Sequence, residues 1–116
     1  VIRGEELRER GYGRLCNVGK EAIKDPPALV VLTKRFQSKH DNNEAEAVTL
    51  VGKGIVYDTG GLSLKISGGM VRMKTDCGGA AGVLAAFEAA VHCGTDEVST
   101  MTCILCLAKN AISSDS

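Results

Sequence analysis

Ala28-Leu29-Val30-Val31-Leu32-Thr33 runs without a polar interruption, and a short, β-branched apolar run of this kind predicts a strand covered on both faces. Ala47 to Tyr57 predicts a second strand, interrupted by Gly52 and Gly54, and Ser99 to Ala108, rich in Thr, Ile, Leu and Cys, predicts a third. Between the last two, Ala80, Val83, Leu84, Phe87 and Val91 recur at helical spacing while Glu88 and His92 lie off that stripe, so Gly79 to Cys93 predicts a helix ended by Gly94. Upstream, Glu5 to Arg10 predicts a short helix around Leu7, broken by Gly11 and Gly13. A second helix is expected from an Asn17 cap through Lys24, with Val18, Ala22 and Ile23 inward, until Asp25-Pro26-Pro27 stops it. The polar stretch from Gln37 to Glu46 is too short for a crossover helix and predicts a hairpin loop between the first two strands. Strand, loop, strand, helix, strand gives an α/β fold: a mixed sheet flanked by helices.

Composition narrows the function classes. The 116 residues make at most one domain, small for a complete metalloenzyme. Fourteen basic and 14 acidic residues balance, which leaves no electrostatic footprint for nucleic acid or an anionic membrane. Aromatics at 3% and the lack of tryptophan argue against base-stacking surfaces. No apolar run approaches the roughly 18 to 20 residues that span a bilayer. Cys16, Cys77, Cys93, Cys103 and Cys106 form an odd set without a disulfide-framework spacing, which favours a reducing, cytoplasmic setting.

The residues with chemical potential concentrate between Val51 and Ala81, where Lys53, Asp58, Lys65 and Asp76 stand among glycines. Asp58 ends an apolar run just before Gly60-Gly61, and Asp76 precedes Gly78-Gly79-Ala80-Ala81 at the expected helix start. Two carboxylates at element ends can converge on a hard divalent cation. Taken singly, Asp58 reads as a turn former, Asp76 as a helix N-cap and Lys53 as a strand-end lysine reaching solvent. Strand alternation also points Lys53 and Asp58, five positions apart, to opposite faces, so they meet only if the ladder bulges near Gly54 or breaks before Asp58.

Gly52-Lys53-Gly54, Asp58-Thr59-Gly60-Gly61, Ser63-Leu64-Lys65 and Met73-Lys74-Thr75-Asp76-Cys77-Gly78-Gly79-Ala80-Ala81 together resemble the signature of the leucyl-type (M17) metalloaminopeptidases. The wording is most similar to the animal probable aminopeptidase-like branch, with good matching from about Leu50 to Ala86 and weaker similarity on both sides. The resemblance implies an αβα zinc-peptidase-like fold of which residues 1–116 are an incomplete, N-terminal part of the catalytic domain. It implies two divalent metal ions, Zn or Mn, in a complete enzyme, with Asp58 bridging both and Lys53 and Asp76 holding one. Lys53 would ligate through its neutral amine, since a neighbouring dication disfavours the ammonium form. Lys65 is implied as the catalytic group that stabilises the substrate carbonyl and the oxyanion formed from it. Met73 matches a position bordering the pocket for the first side chain, though in composition it equally suits core filling. A peptide substrate and a homo-oligomer, commonly a hexamer, follow from the same resemblance.

Other patterns weigh less. Asp58-Thr59-Gly60 is also the aspartic-protease tripeptide, but those all-β enzymes have Ser or Ala where Gly61 stands, and Gly79 to Cys93 reads as helix. Cys103 and Cys106 have half a zinc-knuckle spacing with no second pair, so small apolar packing is expected of them. His40 and His92 read as surface residues, and the glycines lack the Gly-Lys-Ser/Thr of a phosphate cradle. The family's downstream Asn-Thr-Asp-Ala-Glu-Gly-Arg segment, which adds metal carboxylates, has no counterpart here, and Lys109-Asn110 stands where Glu-Asn is usual. The expectation is a fragment of an aminopeptidase domain; the alternative is a non-catalytic relative serving as a binding or assembly subunit.

Overall fold

The three apolar runs become three strands of one sheet in the computed structural model, which describes residues 1–37, 46–61 and 63–113. In chain order the elements are β1 (Ile2–Arg3), α1 (Glu5–Glu9), α2 (Gly13–Val18), β2 (Ala28–Arg35), β3 (Glu46–Asp58), a 3₁₀ helix (Met73–Thr75), α3 (Gly78–Cys93) and β4 (Val98–Asn110). The sheet has four strands in the order β1-β2-β4-β3, with β4 antiparallel to β2 and parallel to β3. The mixed α/β class expected from the pattern is therefore the class observed. Among the described residues no helix is long and apolar enough to cross a membrane.

The expected hairpin between β2 and β3 is not formed, because β4 lies between them. The connecting residues 38–45, including His40, lie outside the described residues. β4 takes the centre because it carries apolar side chains to both faces: Cys103 and Leu105 pack with Ala80 of α3, while Ile104 and Cys106 pack against Leu7, Cys16 and Leu29. Loop length was a poor guide, since a loop fixes chain continuity and not which strands are neighbours. β3, α3 and β4 form instead the strand–helix–strand crossover that parallel pairing demands.

Two further expectations are corrected. The second helix begins earlier and ends at Val18, so Asn17 lies inside it rather than at its cap. Its buried face is Cys16, with Leu15 half-buried, while Val18 and Ile23 are 41% and 78% exposed. The chain leaves the helix at Gly19, where an added Cβ would stand 2.8 Å from the Pro27 ring, so a larger residue could not pack there. β2 is covered on both faces only near Ala28 and Leu29; farther along, Val31 is 46% exposed.

Glycine sets the distance between α3 and β3. A Cβ at Gly52 would lie 2.6 Å from the Cα of Ala80, and one at Gly54 would lie 2.9 Å from the Ala80 Cβ. Gly79 in turn faces the backbone of Lys53, its hypothetical Cβ 3.1 Å from that carbonyl oxygen. The first turn of the helix is thereby pressed against the strand at the level of Lys53. Helix and strand contribute to one site through this contact.

Candidate functional site

β3 carries an extra residue near its end. Ile55 stands opposite Ala108 and Asp58 opposite Asn110, three steps on one strand against two on the other. The bulge corrects the parity: Lys53, Ile55 and Asp58 face Cys106, Ala108 and Asn110, alternate residues of β4 that share one side of the sheet. The site forms where the parallel strands β3 and β4 end, the place where open α/β sheets generally bind ligands.

Asp58 is held on both sides. Its Oδ1 accepts hydrogen bonds from the Gly60 amide and from Asn110 Nδ2, both at 2.8 Å, while Oδ2 lies 3.8 Å from Lys65 Nζ. The Gly60 contact is an Asx turn, so Asp58 is also the turn former its residue type suggests. Burial by itself would raise the carboxyl pKa, yet the Gly60 and Asn110 donors with the Lys65 and Lys53 charges outweigh it and hold Asp58 below the ordinary carboxylate value. At neutral pH it is an anion fixed by the backbone.

Lys53 and Asp76 meet from different elements. Lys53 Nζ donates to Asp76 Oδ1 at 2.6 Å, the lysine side chain 62% exposed on the edge strand and the aspartate 20% exposed. Asp76 closes the 3₁₀ helix, and Cys77, not Asp76, is the N-cap of α3, with no side-chain capping bond. The helix-cap reading of Asp76 is thus replaced by an ion pair. Thr59, buried to 7% exposure, steadies the loop that follows β3: its N–H and Oγ1 both donate to the Asn110 carbonyl, at 2.9 and 3.0 Å, and its own carbonyl accepts the Lys65 N–H at 2.8 Å. Gly60 and Gly61 take φ of +91° and +59°, which favours glycine, and a Cβ at Gly61 would stand 2.6 Å from Asn110 Oδ1. Met73, half-buried, opens the 3₁₀ helix.

Asn110 and Thr59 escaped sequence reasoning as members of the site. The signs of Asn110 were its place at the end of an apolar run and its match to the second residue of the family's usual Glu-Asn, neither of which points to Asp58, since a contact across 52 positions has no local signature. Cys103 is fully buried against α3 and its neighbour in spacing, Cys106, packs toward the other face, so the pair acts as core filling and not as a half-site. Burial pushes the Cys103 thiol pKa up. His92 lies exposed on α3, 3.8 Å from Glu88.

Among the described residues there is no group of three or more His, Cys, Asp and Glu side chains able to hold a metal ion. Asp58, Asp76 and the Lys53 amine nonetheless match part of the donor set of one divalent cation. They are too few for two, whose mutual repulsion calls for more anionic ligands.

The chain belongs to the cytosol aminopeptidase family: the catalytic-domain profile of these M17 peptidases matches residues 1–116. The likeness therefore extends well beyond Leu50 to Ala86. Within the family the chain is 47% identical over 112 residues to the human protein named "Probable aminopeptidase NPEPL1", covering 97% of this chain and 20% of that one. The leucyl aminopeptidase of Leishmania major, solved in complex with actinonin, superposes with a TM-score of 0.85 at 44% identity, covering 95% of this chain and 21% of that one. The bottromycin maturation enzyme BotP, solved in complex with Mn, superposes with a TM-score of 0.76 at 39% identity, covering 94% of this chain and 22% of that one. This chain spans about a fifth of the length of the curated relatives it matches.

Proposed function

We propose that the full-length protein is a metal-dependent aminopeptidase that hydrolyses the N-terminal residue from peptides, and that residues 1–116 are the N-terminal part of its catalytic domain. The observation that carries the reading is the pairing of Asp76 with Lys53 and of Asp58 with Lys65, the Lys53 charge also acting on Asp58, with Asp58 fixed by two N–H donors. Lys53, Asp58 and Asp76 are the residues that would hold metal. A divalent metal pair, Zn or Mn, supplies Lewis acidity and a nucleophilic water when bound, and the Mn-bound relative supports this assignment. Asp58 enters the reaction already ionised, because its donors and the neighbouring lysines favour the anion. Lys65, next to Asp58 and one-third exposed, offers a positive charge to the substrate carbonyl and to the oxyanion that develops on it. Met73 borders the space for the first side chain. By the same family likeness, the protein works in the cytoplasm as a homo-oligomer, a hexamer.

The test is Mn-dependent hydrolysis of an aminoacyl amide by the purified full-length protein and by its Asp58→Ala variant. Turnover in the first and loss in the second are expected, and residues 1–116 alone should give none because two carboxylates cannot offset two dications. Turnover retained by Asp58→Ala would refute the reading. A protein that binds peptides without any turnover would favour the binding-subunit alternative.

A further inference from the structure

Asn110 closes β4 directly opposite Asp58. We infer that Asn110 is a positioning residue for the metal-binding carboxylate of Asp58: with the Gly60 amide it occupies Oδ1, so that Oδ2 is the oxygen presented to a divalent cation. This rests on the metallopeptidase reading above and adds to it a residue outside the proposed ligands.

The two oxygens of Asp58 are not equivalent. Oδ1 accepts two N–H donors at 2.8 Å each, which uses the lone-pair directions of a carboxylate oxygen. Oδ2 has Lys65 Nζ at 3.8 Å, beyond hydrogen-bond length, and is the oxygen left for a cation. Asn110 is itself anchored rather than adaptable. Its carbonyl takes both Thr59 donors, and its Oδ1 occupies the space that the missing Cβ of Gly61 leaves open. Donors that orient a ligating carboxylate act on metal affinity through geometry, and their loss typically costs about 10- to 100-fold.

The experiment measures Mn binding by calorimetry on the metal-free, full-length protein. Asn110→Ala is expected to weaken binding by about 10- to 100-fold. Asn110→Gln, which restores an amide donor on a longer arm, should recover part of the loss. Asn110→Ser covers the case in which alanine misfolds: its hydroxyl is too short to reach Asp58 Oδ1, so it should lose affinity as alanine does. Melting temperatures of the metal-free variants close to wild type would show that affinity and not folding was lost. Serine and alanine variants that bind Mn as tightly as wild type would overturn the inference while leaving the metallopeptidase reading standing. A wild-type protein that takes up no Mn would overturn both.

Discussion

The two ends of the central strands offer different raw material. At the amino end of β4 a cleft of about 570 Å³ is lined by Lys34, Arg35, Gln37, Cys93, Thr95 and Asp96. At the carboxyl end a cleft of similar size, about 550 Å³, is lined by Val56, Tyr57, Leu107, Ala108 and Lys109, and there the Asp58 and Asp76 side chains are only 17% and 20% exposed, each bonded to a donor from a different element. Lys34, Arg35 and Asp96 are exposed, their charges largely solvated. Volume alone therefore does not distinguish the two ends. What marks the carboxyl end is that backbone amides, a bulge and a glycine-tight helix contact fix where the charges stand.

The largest expected effect tests whether a fixed lysine differs in kind from a free one. In the full-length protein, Lys65→Ala should lower kcat by about 10²- to 10³-fold, as loss of an oxyanion donor does. Lys34→Ala, at the other end, should leave kcat unchanged; a comparable fall there would break the comparison. Asp76→Asn comes next: it keeps the shape and removes the charge, so Mn affinity should fall at least about tenfold in a direct titration. Because Asp76 makes no capping bond, its melting temperature should drop by less than the loss of a cap, about 1 kcal/mol, would cause.

Glycine substitutions sharpen the contrast between fixed and open ground. Gly52→Ala forces a Cβ against the Ala80 backbone and should cost about 1–3 kcal/mol in a denaturant melt of the full-length protein. Gly82→Ala, inside α3 with nothing within 4 Å of the added carbon, should stabilise by about 0.5–1 kcal/mol. A neutral result at Gly52 would mean that the helix does not need its close approach.

The smallest effect is on pH. The pKa of the Asp58 carboxyl is held below the ordinary carboxylate value, so its contribution to stability is fully present above that ordinary value and is lost as the pH falls through its folded-state pKa. In melts of the metal-free protein, wild type should exceed Asp58→Asn by a margin that is constant near neutrality and shrinks below about pH 4. A margin independent of pH would show that Asp58 gains nothing from its donors as an anion.

Much of this was readable in the chain because it is local. Helix α3 follows from the spacing of Ala80, Val83, Leu84, Phe87 and Val91, of which Leu84 is 41% exposed, and the three long strands from apolar runs, one of them interrupted by Gly52 and Gly54. The candidate residues Lys53, Asp58, Lys65 and Asp76 stood out through their combined spacing, which resembles the family signature, although Asp58, Asp76 and Lys53 taken singly also suit structural roles. Even the need for a bulge was legible, since parity along a strand is a matter of counting. Which strands are neighbours was not. The sequence alone could not rank β4 above β3 as partner of β2, because that choice depends on the summed burial of both β4 faces, Cys103 and Leu105 on one and Ile104 and Cys106 on the other. Nor could it show Asn110 reaching Asp58 across 52 positions, or Asp76 preferring Lys53 to its own helix end. Periodicity and residue chemistry are properties of short stretches and are written there; register and cross-element hydrogen bonds arise when distant stretches compete for the same surface, and only tertiary packing decides that competition.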